Sequence, residues 1–298
     1  GKKSIMFEQL LEIAFEAETN TEENEELMAL SPQMCDEDPA TRNSVIMELR
    51  DLIYERGECL PYRTDDEFLL RFLRARHFVV RRAHRHLVRY CNFLEQYPQL
   101  YKGVDLFSLA KVKNSYEGCM VDHPDIGRLT IFRFGTWDLN EFPIDELMKA
   151  GLAMTEIGVR QPKLQIFGGT VIIDLEGVTL RHVATLTPTV AYQIVSLMGV
   201  ATPGRMRGCH LINYSWILNT FFYLFKRFIP QESNDKIFFH GYDLKSLQKH
   251  IRSDCLPVRY GGTCRNHVSF GRWLQKIKKY RDQKFDDDMK AVGYVIKE

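Results

Sequence analysis

The chain has 298 residues, of which 45% are hydrophobic and 27% charged, so it is long enough and apolar enough to bury a sizeable core. That balance excludes collagen-like, coiled-coil and wholly disordered chains, and no apolar run approaches the ~20 residues a membrane-spanning helix needs. The formal net charge of +1 hides an asymmetry: residues 1–50 carry 12 acids against 4 bases, and the remainder carries 27 acids against 36 bases.

The N-terminal segment, residues 1–39, reads as an acidic arm and linker. Phe7, Leu10, Leu11, Ile13 and Ala14 have the spacing of a short amphipathic helix. Residues 19–40 then read as a solvated linker, with Asp36-Glu37-Asp38-Pro39 as a helix breaker. No long apolar stretch of a signal peptide opens the chain.

Residues 40–103 read as a helical domain. Val45, Ile46, Leu49, Leu52 and Ile53 predict a helix ending near Gly57. Thr64-Asp65-Asp66-Glu67 has the form of a capping box, with Thr64 as the cap, ahead of Phe68, Leu69, Leu70, Phe72 and Leu73. A further helix is predicted from Arg81 to Gln96. Residues 71–90 are dense in arginine, and His77, His84 and His86 sit among them on what reads as an exposed face.

From residue 104 to 265 strands alternate with helices, the pattern of a mostly parallel α/β sheet with right-handed crossovers. The predicted strands are Leu129–Phe134, Val171–Leu175, Gly208–Asn213 and Ile237–Phe239. The predicted helices run over 143–159, 188–198 and 216–229. Residues 266–298 hold a terminal helix, Val268–Tyr280, and a tail.

Seven scattered cysteines without a Cys-x-x-Cys pair argue against a zinc site or a disulfide framework. No nucleotide-binding glycine loop, His-Glu-x-x-His or Gly-x-Ser-x-Gly motif is present, so no catalytic residue and no metal or cofactor is assigned. Asp174 and Glu176, at a strand end, read as structural hydrogen-bonding groups. Nucleic acid has no supporting motif beyond the arginines.

Trp216 to Phe225 is apolar nearly all round, which fits either a buried core helix or a lid with one face on cargo and the other on a membrane. Met148, Leu152, Ile194, Leu197 and Met198 form a soft apolar set, and Gly151 and Gly158 interrupt the first of their helices.

Several segments together, in order, resemble one family. They are Thr64–Phe78, Asp174-Leu175-Glu176-Gly177, Leu186-Thr187-Pro188, Arg207–Asn213, Phe239-His240-Gly241 and Leu256-Pro257-x-x-Tyr260-Gly261-Gly262. Over about residues 40–265 the chain resembles the CRAL-TRIO lipid-transfer family, with the order and spacing of its tocopherol- and retinaldehyde-binding members.

The resemblance implies a small helical domain followed by an α/β lipid-binding domain whose pocket is closed by a mobile lid. It implies a pocket at Met148, Gly151, Leu152, Thr155, Ile173, Leu186, Ile194, Leu197, Met198, Thr202, Met206 and Cys209. It places the lid at Trp216, Ile217, Phe221, Phe222, Leu224 and Phe225, and a phosphoinositide-binding cleft at Arg76, Arg205, Arg207 and Lys236. A tocopherol-binding member has serine, phenylalanine and lysine where this chain has Gly151, Met148 and Glu232. The function implied is that of a cytoplasmic monomeric carrier, not an enzyme. It would hold one apolar lipid, a tocopherol, retinoid or similar prenoid, and meet anionic membranes transiently with phosphoinositide-assisted release. The alternative is a phosphoinositide-binding regulator or adaptor of membrane traffic.

Overall fold

The structure, a computed structural model, describes residues 1–215 and 219–298, without the side chains of 219–221. The helices are α1 (Lys2–Ala17), α2 (Glu25–Cys35), α3 (Arg42–Arg56), α4 (Asp66–Ala75), α5 (Val80–Gln96), α6 (Ile144–Gly158), α7 (Pro162–Phe167), α8 (Leu180–Ala184), α9 (Pro188–Val195), α10 (Asn219–Lys226), α11 (Leu244–Gln248), α12 (Phe270–Tyr280) and α13 (Gln283–Val292).

α3 stops where the sequence places its end, at Gly57, whose φ of 60° is left-handed and easiest for glycine. The start of α4 is a correction. The cap is Asp65, not Thr64: the Asp65 carboxylate accepts from the Phe68 amide at 3.4 Å. Arg63 clamps that carboxylate with Nε and Nη2 at 2.5 and 2.7 Å, which moves the helix start one residue along.

The arginine-rich helices also depart from expectation. His84 and His86 are buried, as are Arg71 and Arg74, so the 71–90 cluster is not one solvated face. Arg74 turns inward to Glu37 and Glu23, with nitrogen–oxygen distances of 2.8 Å to each.

Six strands follow: β1 (Tyr116–Cys119), β2 (Arg128–Arg133), β3 (Gly169–Asp174), β4 (Met206–Ile212), β5 (Ile237–Gly241) and β6 (His267–Ser269). They lie in the order β5-β4-β3-β2-β1-β6. β2 to β5 are parallel, and β1 pairs antiparallel with both β2 and β6. Side chains alternate between faces. One register row, Phe132–Ile173–Leu211–Phe239, crosses four strands on one face. Ile131, Ile172 and Ile212 face the other way, onto Leu247, Ile251, Leu256 and Tyr260. Both faces are thus apolar, as parallel strands require. Asp174 is structural: it accepts from the Tyr260 hydroxyl at 2.6 Å and from Asn213 Nδ2 at 3.0 Å.

The acidic N-terminal segment is neither a plain linker nor a solvated tail. Residues 25–35 form α2, capped by Asn24, and Cys35 is fully buried. Glu12 binds Lys276, Lys279 and Tyr280 on α12. Glu18 is only 1% exposed and accepts from Arg128, Gln161 and the Trp273 indole. Buried apolar residues, Leu11, Phe15, Leu27 and Cys35, and the paired acids together tie this segment down, onto partners far away in the sequence, which is why local hydropathy reads it as loose. The tail beyond residue 280 likewise holds α13, where Asp288 takes Arg160 at 2.9 Å and Phe285 is fully buried.

Candidate lipid pocket and basic cleft

The floor of the candidate pocket is the register row Phe132–Ile173–Leu211–Phe239, extended by Cys209 and Ile237 on the same face of β4 and β5. Its walls are Leu186, Ile194 and Met198 around α9, and α10 closes it with Phe222 and Phe225. Phe222 meets Phe239 edge-on with ring centroids 4.7 Å apart. The space beneath α10 is about 110 Å³ and almost wholly apolar. Ligand pockets usually measure roughly 300–1,000 Å³, so the space as it stands is smaller than a typical lipid site.

A second, more open space of about 190 Å³ lies along β1 to β4, bordered by Thr155, Leu197, Met198, Met206 and Trp273. Met198 borders both spaces. It sits in a π-turn, Ser196–Val200, where Met198 and Gly199 leave helical geometry. Gly199 has φ 98°, and a Cβ there would fall 2.7 Å from the Gly204 carbonyl oxygen, so only glycine fits.

The sequence-derived pocket residues therefore divide. Ile173, Leu186, Ile194, Met198 and Cys209 come together under α10, and Thr155, Leu197 and Met206 join Met198 in the second space. Met148 and Leu152 lie on the inner stripe of α6 and are consumed by the general core, with 1% and 0% exposure. Gly151 faces Leu197 and the Tyr116 hydroxyl, with 3.1 Å from an added Cβ to each. Thr202 is buried by its own hydrogen bonds, Oγ1 donating to the Ser196 and Leu197 carbonyls. Of the lid positions, Phe222 and Phe225 face inward and Leu224 is half-buried; Tyr223, between Phe222 and Leu224, is 72% exposed. Trp216 and Ile217 lie outside the described residues, as does the Phe221 side chain.

Beyond Met198 opens a cleft of about 790 Å³. All four basic residues singled out from the sequence, Arg76, Arg205, Arg207 and Lys236, line it. Arg82, Arg85 and Arg89 join them from α5, against the exposed Glu232. The spacing 82, 85, 89 is one helical face, a signal present in the sequence but hidden within the larger arginine cluster. None of these seven bases forms an ion pair among the described residues. Arg205 and Arg207 are held instead by the Ile166 and Phe167 carbonyls at 2.6 and 3.0 Å. Arg76 donates to His86 Nδ1 at 3.0 Å. Burial, then the neighbouring Arg89, holds the Arg76 pKa below the usual arginine value, and burial with Arg205 does the same for Arg207. Crowded, unneutralised guanidinium groups favour an anion between them.

His86 fixes this arrangement. An arginine Nε–H only donates, so Nδ1 accepts and Nε2–H donates to the Thr202 carbonyl, 2.7 Å away. Burial pushes the His86 pKa down to about 3, with Arg76 adding to it, so the ring is neutral at pH 7. Among the described residues, no group of three or more His, Cys, Asp or Glu could hold a metal ion, and no helix is long and apolar enough to cross a membrane.

Comparison with known proteins matches two family models: the CRAL/TRIO N-terminal domain over residues 14–89 and the CRAL/TRIO domain over residues 124–262. The N-terminal match reaches well into the acidic segment. Human clavesin-2 is 29% identical over 256 residues, covering 85% of this chain and 77% of that protein. Clavesin-1 of Xenopus laevis is 30% identical over 251 residues, covering 81% and 74%. The crystal structure of Sfh5 aligns with a TM-score of 0.44 at 13% identity, covering 83% of this chain and 99% of that one.

Proposed function

Since the chain belongs to the CRAL/TRIO family of lipid-binding and lipid-transfer proteins, we propose that it carries one apolar, prenoid-type lipid between membranes, with phosphoinositide-assisted release. The observation that carries this reading is the meeting, at Met198, of an apolar space roofed by Phe222 and Phe225 with a cleft lined by Arg76, Arg205, Arg207 and Lys236.

Moving a lipid with ~20 apolar carbons from a bilayer into water costs about 16 kcal/mol, at ~0.8 per carbon. A carrier lowers that barrier by keeping the lipid in apolar surroundings throughout. On this reading α10 swings into the membrane, the lipid slides onto the Phe132–Ile173–Leu211–Phe239 floor, and α10 closes over it. Anionic headgroups attract the unpaired bases of the cleft. Arg76 donates from Nη2 to the Gly199 carbonyl at 3.2 Å. A phosphoinositide that draws Arg76 toward itself competes with this bond, loosens the turn carrying Met198 and opens the lipid's exit.

A phosphoinositide-binding regulator is the second reading, favoured by the far greater volume of the cleft than of the apolar space.

The test is transfer of a fluorescent prenoid lipid from donor to acceptor vesicles, with and without phosphatidylinositol bisphosphate in the acceptors. Phosphoinositide should accelerate transfer, and Arg205→Gln with Lys236→Gln should remove the acceleration. Transfer that is indifferent to phosphoinositide refutes assisted release; phosphoinositide binding without any lipid transfer favours the regulator.

A further inference from the structure

The cleft does not use all the exposed arginines of α5. A separate groove of about 340 Å³ lies on the other side of Arg82 and Arg85, between α3 and α5. Leu52, Arg56, Val79, Arg81, Arg82, His84 and Arg85 line it, with no carboxylate among them. Arg81, Arg82 and Arg85 make no ion pair among the described residues. Glu58, exposed at the rim, stands 3.5 Å from Arg56, a separation and exposure at which an ion pair contributes little.

This groove sits at the N-terminus of α5, a 17-residue helix with no capping side chain and no acid in its first turn. Arginine is costly there, because the helix N-terminus already carries about half a positive charge. The amides of Val80 and Arg81 have no acceptor among the described residues, as first-turn amides lack intrahelical partners. Independently, His84 is 3% exposed and its Nε2 is buried with no hydrogen-bond partner among the described residues. A buried polar nitrogen without a partner is unfavourable unless something in the groove satisfies it. Burial lowers the His84 pKa, which favours the neutral ring, and a neutral imidazole can donate one hydrogen bond without adding charge. The groove has room for roughly ten waters at ~30 Å³ each, enough for a phosphate group with part of its hydration.

Arginine forks, free helix-terminal amides and a buried imidazole donor are the recurrent means of holding a phosphate dianion. We propose that this groove is a second phosphate-binding site, distinct from the interdomain cleft and independent of whether the cleft binds phosphoinositide. The phosphate belongs either to a membrane phospholipid headgroup or to a soluble phosphate compound. Arg56, Arg81, His84 and the Val80 and Arg81 amides form the site, with Arg82 and Arg85 as the wall shared with the cleft.

The experiment is a titration of the full-length, isotope-labelled protein with inorganic phosphate, followed by backbone amide NMR. Saturable shifts are expected at Val80 and Arg81. They should persist in Arg205→Gln/Lys236→Gln, which alters the cleft and leaves the lining of the groove intact. They should weaken by roughly tenfold or more in affinity in Arg56→Gln/Arg81→Gln, which leaves the cleft residues intact. Arg56, Arg81 and Lys236 are exposed and Arg205 is half-buried, and the amide spectrum itself reports whether each variant is folded. Absence of saturable shifts at Val80 and Arg81, or shifts that vanish with the cleft variant instead, overturns the proposal.

A second arm separates the sources. Sedimentation is measured with phosphatidylcholine vesicles with and without phosphatidic acid. Selective loss of phosphatidic acid binding in Arg56→Gln/Arg81→Gln, together with the shifts, supports a headgroup. Unchanged sedimentation alongside the phosphate shifts supports a soluble ligand.

Discussion

Arg76, at the C-terminal end of α4, donates from Nη2 to the carbonyl of Gly199, in the turn that carries Met198. One side chain thus joins the helical layer, the basic cleft and the wall of the apolar space. Arg76→Gln is expected to reduce phosphoinositide-stimulated transfer about tenfold, the scale of one charge-assisted contact, and to leave transfer to neutral acceptors unchanged. Vesicle-to-vesicle transfer rates on the two acceptors check this, and equal loss on both would assign Arg76 a purely structural role.

His86 should make this junction pH-sensitive. Its folded pKa is about 3, whereas an unfolded histidine titrates near 6.5. The unfolded chain therefore binds more protons between those values, and stability falls as pH drops from about 6.5 toward 3. Between pH 7 and 5 the expected loss is on the order of 2 kcal/mol. Denaturant unfolding at both pH values, for the wild type and His86→Gln, measures it. The variant should lose less on acidification, and an identical pH dependence would rule out His86 as the source.

On α10 the inward and outward roles are separate. Phe222 packs on Phe239, while Tyr223 is 72% exposed beside Lys226. An aromatic–cationic outer face suits a membrane interface. Tyr223→Asp should slow membrane transfer several-fold with cargo affinity unchanged, because Tyr223 does not border the apolar space. A wild-type transfer rate would show that this face does not meet the bilayer.

The buried Glu18 carboxylate receives Arg128 Nη1 at 2.6 Å and Trp273 Nε1 at 2.8 Å. Glu18→Ala leaves Arg128 with Asp122 but strips the indole and part of the guanidinium of their acceptors. The expected destabilisation is roughly 3–5 kcal/mol, the scale of a broken buried pair. Thermal unfolding checks it; a loss below about 1 kcal/mol would mean that the N-terminal segment is only loosely attached.

Much of the fold was legible because apolar periodicity is a strong signal. The β-branched run Val171–Ile173 is a buried central strand, and Pro143, Gly57 and Pro188 punctuate helices where they should. β1 and β6 escaped because they are four and three residues long and rich in Gly, Glu, His and Ser. α2 escaped because what holds it lies far away in sequence: Leu27 and Cys35 pack with Ile166 and Phe167, and the flanking Glu23 and Glu37 bind Arg74. The basic cleft was readable where resemblance supplied positions. Its α5 contribution was obscured because Arg71 and Arg74, which point inward, look the same in sequence as Arg82, Arg85 and Arg89, which point out. No local pattern distinguishes Met148, absorbed by the core, from Met198, exposed to three cavities.

The most direct test of the central claim is native mass spectrometry of the protein after incubation with vesicles containing a prenoid lipid, paired with extraction of whatever remains bound. The account predicts one lipid per chain in the wild type. It predicts loss of that lipid in Ile194→Trp, which fills the space beneath Phe222 and Phe225, while the circular dichroism spectrum stays native. A wild-type protein without stoichiometric lipid, or an Ile194→Trp variant that retains it fully, would contradict a carrier that holds its cargo under α10.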